Sequence, residues 1–392
     1  MKILISGAGI AGPTLAWWLL EHGFEPVLVE RAPRLRTGGY IIDFWGSGFD
    51  VAERMGLVPE LMHAGYKVRE VRMVNRASRK VAGFSAEVFD RLTDGRYVSL
   101  PRGELGAMIH ARIQDRAETL FDDEILALDD TGDGVNVTFR NAAPRRFDLV
   151  IGADGLHSRV RELVFGAEGE FEKYLGYQVA AFETRGYRPR DEDVYVMFTQ
   201  VGRQISRFSL RDDRTLFLFV LADEAGREAH DARRLLHRRF DAAGWESDGI
   251  LAAMDATDDL YFDRVSQIRM NTWSRGRVAL IGDAAFCVSL LAGQGSALAM
   301  TAGYVLAGEL RRAQGDYREA FRRYQERLGP FIAKKQQAAE KFAGAFAPRT
   351  AVGLFFRNQV TRLLDIPWIA DLAIGRDLKD NIALPDYGNP GC

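Results

Sequence analysis

The chain has 392 residues, 47% apolar and 27% charged, an ordinary balance for a folded protein and enough length for two cooperating domains. Lysine and arginine total 52 against 54 aspartates and glutamates, so a net charge of −2 gives no electrostatic basis for a nucleic-acid partner. Two cysteines, Cys287 and Cys392, build neither a disulfide framework nor a zinc site; no metal is expected, and a reducing, cytoplasmic setting is.

In chain order, Ile3–Leu20 is largely apolar, but Gly7, Gly9, Gly12 and Pro13 interrupt it and no small-residue cleavage site follows. No apolar run reaches bilayer length, so neither a secretion signal nor a membrane partner is expected. Lys2–Ser6 reads as a buried strand, Ala11–His22 as a helix ending at Gly23, and Pro26–Glu30 as a second strand. A loop rich in arginine and glycine follows from Arg31 to Gly48. Helical patterning resumes at Phe49–Met55 and at Arg102–Arg116. Val135–Phe139 alternates after the turn signal Asp133-Gly134, and Phe147–Ala153 is a strand running into Asp154-Gly155. From Phe171 to Leu221 the pattern shifts to alternating strands such as Tyr195–Phe198 and Thr215–Val220, which points to an inserted sheet. Asp231–Ala243 is helical, Arg277–Ile281 is a buried strand entering Gly282-Asp283, and a long helix spans Gln294 to Ala313. The remainder, through Leu378, is mostly amphipathic helix. No internal repeat is visible.

Gly7-Ala8-Gly9-Ile10-Ala11-Gly12 fits G-x-G-x-x-G between a strand and a helix. Gly7 permits the tight turn, Gly9 lets the backbone approach a pyrophosphate, and Gly12 allows close helix–strand packing. The helix start at Ala11 then offers unpaired N–H groups and a positive dipole. Glu30 ends the second strand, where a carboxylate binds the hydroxyls of an adenosine ribose and repels a 2′-phosphate. This turn does not by itself separate FAD from NAD. Two later segments extend the pattern: Asp148–Gly155 and Arg277–Ala285 each bring a buried strand to an acidic turn, at Asp154 and Asp283. Singly such an aspartate is a turn former; together with the first motif they suggest a cofactor held along its length.

Those three segments, in that order, resemble the signature set of class A flavoprotein monooxygenases, the para-hydroxybenzoate hydroxylase group. The resemblance runs from Met1 to about Arg323 and is strongest to the tetracycline-inactivating flavin monooxygenases and related actinobacterial enzymes. The stretches that carry it are Arg36–Asp43, Leu100–Leu105, the Asp154-Gly155 turn, and Gly282-Asp-Ala-Ala through Gly293-Gln-Gly295. It implies an α/β fold: a Rossmann-like FAD-binding domain at 1–170 and 265–325, an inserted mixed-sheet substrate domain at 171–264, and C-terminal helices at 326–392. It implies Glu30 on the ribose, Arg31 and Arg102 on the adenosine or the phosphate-to-ribityl portion, and Asp283 at the ribityl–pyrophosphate region. Gly38 and Gly39 would pass the isoalloxazine, and Gly293, Gln294 and Gly295 would present N–H groups to its pyrimidine edge. Ala11, Asp43, Asp154, Gly282 and Ser296 complete the implied cofactor contacts.

The implied activity consumes NADPH or NADH and O2 and inserts one oxygen atom through a flavin C4a-(hydro)peroxide, with no protein side chain as catalyst. The substrate is expected to be a flat, mostly apolar aromatic or polyketide, bound by some of Phe182, Tyr195, Met197, Phe208, Phe217 and Phe219, although such residues at strand spacing are more often core. A monomer or homodimer is expected, and His157 reads as a surface or structural residue. The chain departs from the family at Phe286–Ala292, where a histidine and one or two prolines are usual. That difference favours the rival reading, a flavin-dependent reductase or dehydrogenase without oxygen insertion; a ligand-sequestering protein of the same fold is a further alternative.

Overall fold

A computed structural model describes residues 1–35, 40–223, 231–370 and 382–388. Strand Lys2–Ser6 lies inside a six-stranded sheet, ordered Ser274–Arg275, Val278–Leu280, Leu149–Gly152, Lys2–Ser6, Glu25–Glu30, Glu118–Phe121. All neighbours are parallel except the outermost pair at the Ser274 edge. Parallel strands are covered on both faces, which is why Ile3, Leu4 and Ile5 form a continuous apolar run, each fully buried. The Ala11–Glu21 helix packs against this sheet and against the almost wholly buried Gly295–Arg312 helix. Their backbones come close because Gly303 carries no side chain: a Cβ there would stand 2.9 Å from the Leu15 nitrogen. A three-stranded antiparallel sheet (Ile125–Asp130, Val135–Phe139, Arg145–Phe147) adds Val135, Val137 and Phe147 to the same core.

The inserted sheet has seven strands, in the order Tyr261–Ile268, Glu172–Arg185, Arg214–Ala222, Arg203–Ser209, Val194–Gln200, Glu70–Val74, Lys80–Ser85. It is mixed, because Val194–Gln200 and Glu70–Val74 run parallel and the rest antiparallel. Its last two strands come from the first third of the chain, so a substrate sheet confined to 171–264 is corrected here. The parallel pairing joins segments far apart in sequence and leaves no local signature.

Alternation along these strands divides the sheet into two faces. Phe182, Val196, Phe198, Ile205, Phe217 and Phe219 point outward, onto Leu236 and Phe240 of the Ala232–Phe240 helix and Ile250 and Met254 of the Ser247–Asp255 helix. Tyr195, Met197, Phe208 and Val220 occupy the opposite face. That inner face abuts a two-stranded ribbon, Ile41–Trp45 with Tyr97–Pro101, and the turn Leu290–Ala292. After the 30-residue Tyr317–Phe346 helix, the Ala351–Arg362 helix lies on the Lys80–Ser85 strand. Residues 382–388 return to the Gly295–Arg312 helix, where Tyr387 covers Gly308 and donates to the buried Glu309 at 2.5 Å. Among the described residues, no helix is long and apolar enough to cross a membrane.

Candidate functional site

The first turn leaves the central strand after Ser6. Gly7 has φ +105° and donates its N–H to the Val29 carbonyl at 2.7 Å; a Cβ on it would stand 2.5 Å from the Ala153 carbonyl oxygen. A Cβ on Gly12 would stand 2.0 Å from the Gly7 carbonyl oxygen. Packing alone therefore demands both glycines. Gly9 is different: a Cβ there would meet nothing nearer than the Arg102 Nη2 at 3.9 Å. The protein leaves that space open, as a phosphate passing close to the backbone requires. Ala11 opens the following helix beside it, and Glu30 closes the mouth of the turn. The Glu30 carboxylate accepts from the N–H groups of Ala8 and Ala32, both at 2.9 Å, which holds it in place with lone pairs to spare. Arg31 is exposed next to it.

A second wall comes from Arg102, which starts the Arg102–Ala111 helix and whose backbone N–H donates to the Tyr40 carbonyl at 3.1 Å. Its guanidinium is reached by solvent yet enclosed by protein, as at the wall of a deep cleft. No described side chain hydrogen-bonds it. Asp283 faces Arg102 from the short Asp283–Phe286 helix, entered through Gly282 at φ +60°. Burial raises the Asp283 carboxyl above its ordinary range, while Arg102 and the thiol of the buried Cys287 oppose that rise. Gly293, at φ +67°, and Gly295 complete the rim. A Cβ on Gly293 would come no closer than 3.9 Å to Trp45, and one on Gly295 no closer than 3.7 Å to Asp283 Oδ1. Gln294 caps the Gly295–Arg312 helix, Ser296 is buried in its first turn, and that turn directs its dipole into the same space. Open glycines, a cation, a carboxylate and two helix N-termini fit a long, flat cofactor carrying phosphates, which is the chemistry of FAD. Gly38 and Gly39 lie outside the described residues.

Two of the aspartates read from sequence as cofactor contacts have other partners. Asp154 accepts from Ser158 Oγ at 2.5 Å, from the Val160 N–H at 3.0 Å and from Ser6 Oγ at 3.4 Å. Both its oxygens thus hold the turn that starts the Arg159–Val164 helix. Asp43 sits directly opposite Ser99 in the ribbon register. Its Oδ1 accepts from Tyr97 and Ser99 hydroxyls, both at 2.6 Å, and from Tyr195 at 3.5 Å across the boundary to the inserted sheet. Burial raises the Asp43 carboxyl, and these three hydroxyls counter it. Asp43 therefore ties the cofactor side to the substrate sheet.

Comparison with known proteins agrees with this geometry. Residues 1–328 match the family described as "FAD binding domain". A flavin-dependent monooxygenase from an unknown prokaryotic organism is 36% identical over 349 residues, 86% of this chain and 87% of that protein. An uncharacterized protein of Mycobacterium tuberculosis (strain CDC 1551 / Oshkosh) is 39% identical over 344 residues, 85% of this chain and 91% of its own. Among solved structures, the tetracycline destructase Tet(55) superposes with a TM-score of 0.85 at 32% identity, covering 98% of each chain. This chain belongs to the FAD-binding-domain family. It is a class A FAD-dependent monooxygenase.

The monooxygenase's substrate face differs in part from the sequence reading. Tyr195, Met197 and Phe208 lie on the inner face, toward the cleft. Phe182, Phe217 and Phe219 are corrected: they are buried on the outer face, where Phe182 stacks on Phe217 with ring centroids 4.9 Å apart. The strand period of two separates them from their neighbours, and composition alone could not say which parity faces the flavin. Sequence reading also missed the devices that hold the turns. Arg161, with no exposed side chain, donates to the Leu156 carbonyl at 2.6 Å and the Ala284 carbonyl at 3.0 Å, so it joins the second acidic turn to the third. The loop that lacks the usual prolines is held by two buried glutamines. Gln267 Nε2 donates to the Val288 carbonyl at 2.8 Å, and Gln336 Nε2 donates to Ile268 at 2.8 Å and Cys287 at 3.2 Å. Ser289 Oγ accepts from the Leu291 N–H, starting the tight turn that ends at Gly293. His157 is 60% exposed and bridges Glu168 (2.9 Å) and Asp263 (3.3 Å), a surface tie between the two sheets.

Proposed function

We propose that this monooxygenase consumes NADPH or NADH and O2 and inserts one oxygen atom into a planar aromatic or polyketide-like small molecule. The observation that carries the reading is the position of the cleft: the ring of open glycines at Gly9, Gly293 and Gly295 adjoins the aromatic inner face of the sheet, where Tyr195 and Phe208 pack at 4.5 Å between centroids. Similarity to a tetracycline destructase supports a polyketide-sized substrate. Bound FAD supplies the redox chemistry. Glu30 would orient the ribose, Arg102 and Asp283 would hold the phosphate-to-ribityl stretch, and the Gly295–Arg312 helix start would favour negative charge at the flavin by about 0.3–1 kcal/mol, or ~2 where burial is favourable. Gln267 and Gln336 keep the loop beside the ring rigid, so that water stays excluded while substrate is presented.

The deciding experiment is NADPH-dependent oxygen uptake across planar phenols and polyketides, tetracyclines included, with product masses. A substrate-stimulated rate and a product heavier by one oxygen atom are expected. NADPH oxidation that yields only hydrogen peroxide with every compound would favour the reductase instead.

A further inference from the structure

We propose that Arg357 is a substrate-recognition residue of the monooxygenase and that the substrate carries an acidic oxygen (a carboxylate, enolate or phenolate) that docks on its guanidinium. The assignment deepens the functional reading above and rests on it for the identity of the ligand.

Arg357 projects from the Ala351–Arg362 helix onto the substrate sheet. Its Nη1 lies 2.9 Å from Met73 Sδ, and that sulfur contact is the guanidinium's sole hydrogen bond to a described residue. Met73 stands directly beside Met197 in the sheet register, on the inner face that also carries Tyr195. The Arg357 Nε is buried and without a partner. No described carboxylate is paired with the side chain, and burial, with no neighbouring charge to offset it, lowers its pKa to about 10. A thioether is a poor acceptor for a cation, and a desolvated arginine without an anion is costly. Folding has no use for such a group; a ligand that brings the missing charge does.

A cationic opening lies near the same helix. An open notch of about 570 Å³ is lined by Thr199, Gln200, Val201, Arg203, Arg239 and Leu354. Leu354 is one helical turn before Arg357, and Thr199 is two residues beyond Met197, so on the same face of its strand. The notch therefore lies one turn from Arg357 along the same helix. Arg203 and Arg239 on its rim have no carboxylate partner among the described residues, and burial first, then repulsion from Arg239 and Arg76, depresses Arg203. Unneutralised arginines around an opening raise the local concentration of anions.

The test titrates the FAD-loaded enzyme with two probes of nearly one shape, 2-hydroxy-1,4-naphthoquinone, an anion at neutral pH, and its neutral 2-methoxy analogue, following the flavin absorbance. Wild type is expected to bind the hydroxy compound about tenfold or more tightly, as one charge-assisted hydrogen-bonded pair allows. Arg357→Met should bring the two dissociation constants within about twofold of each other, chiefly by weakening the anion. Arg357→Lys should keep part of the preference. FAD content should be unchanged, and the melting temperature equal or higher, because the variant removes an unpaired buried charge. Equal binding of both probes by wild type, binding of neither, or a preference that survives Arg357→Met overturns the assignment. So does a variant that raises KM for NADPH and leaves the probe preference intact, since the anion would then belong to the reductant. Loss of preference in Arg357→Met without oxygenation of any compound would instead remove the monooxygenase reading and leave the anion site.

Discussion

Two glycines three residues apart should respond oppositely to the same added methyl group. In Gly12→Ala the new Cβ would stand 2.0 Å from the Gly7 carbonyl oxygen and 3.3 Å from Ile5 Cγ2, so the backbone of the turn has to move. Overpacking of this kind costs about 1–3 kcal/mol and occasionally more. In Gly9→Ala the nearest atom is the tip of Arg102 at 3.9 Å, so the empty protein absorbs the methyl without strain. The flavin-stripped variant should then be as stable as wild type, or more stable by about 0.4–1 kcal/mol through loss of chain entropy in the unfolded state. Its effect belongs to the ligand. A methyl group in the path of the pyrophosphate costs a comparable ~1–3 kcal/mol, or about a 5- to 150-fold weaker Kd for FAD. Thermal melts of flavin-stripped protein and fluorescence titrations with FAD separate the two effects. A Gly9→Ala variant that binds FAD as wild type does, or a Gly12→Ala variant that melts with wild type, would refute the division between a ligand glycine and a packing glycine.

Gln336→Ala should remove the side-chain donor from the buried Ile268 carbonyl, leaving Cys287 only the Ile268 N–H, and cost about 1–3 kcal/mol, with a larger fraction of consumed NADPH ending as hydrogen peroxide, read by comparing peroxide with product. Unchanged coupling would show that the loop at 286–292 holds without its glutamine clamp. The His157 pKa is raised to about 10, first by its hydrogen bond to Asp263 and then by Glu168. Its contribution is therefore complete below the ordinary 6.5 and is lost as pH rises through about 10. Melts of wild type and His157→Gln should differ most near pH 6 and converge by pH 10; with the side chain 60% exposed, screening limits each pair to about 0.2–1 kcal/mol. A difference that stays constant over that range would contradict the pairing.

The flavin half of the molecule was legible because its signals are local. A buried parallel strand must be apolar throughout, a turn at φ +105° needs glycine, and a helix must start where the turn ends, so Lys2–Ser6, Gly7 and Ala11 announce one another within a few residues. The strands before Asp154 and Asp283 repeat that logic, although what each carboxylate does there is a matter of neighbours: Asp154 finds Ser158 and the Val160 N–H close by, while Asp283 finds Arg102 across a cleft. The substrate half was legible as sheet but not as a surface. Side-chain parity places Phe182 and Phe217 on one face and Tyr195 and Phe208 on the other, and which face meets the cofactor depends on how the whole sheet docks. The hairpin of Glu70–Val74 and Lys80–Ser85 belongs to that sheet through a parallel pairing more than a hundred residues distant, which no short-range pattern encodes. The same holds for Arg357, an ordinary arginine on an amphipathic helix in the sequence. Only the packing of that helix on the sheet strips it of water and leaves it without a counter-charge. Sequence alone determined the backbone geometry of the cofactor turns, since sterics and buried periodicity act between near neighbours; long-range docking decided which side chains face the cleft, because that depends on contacts the chain makes only once it is folded.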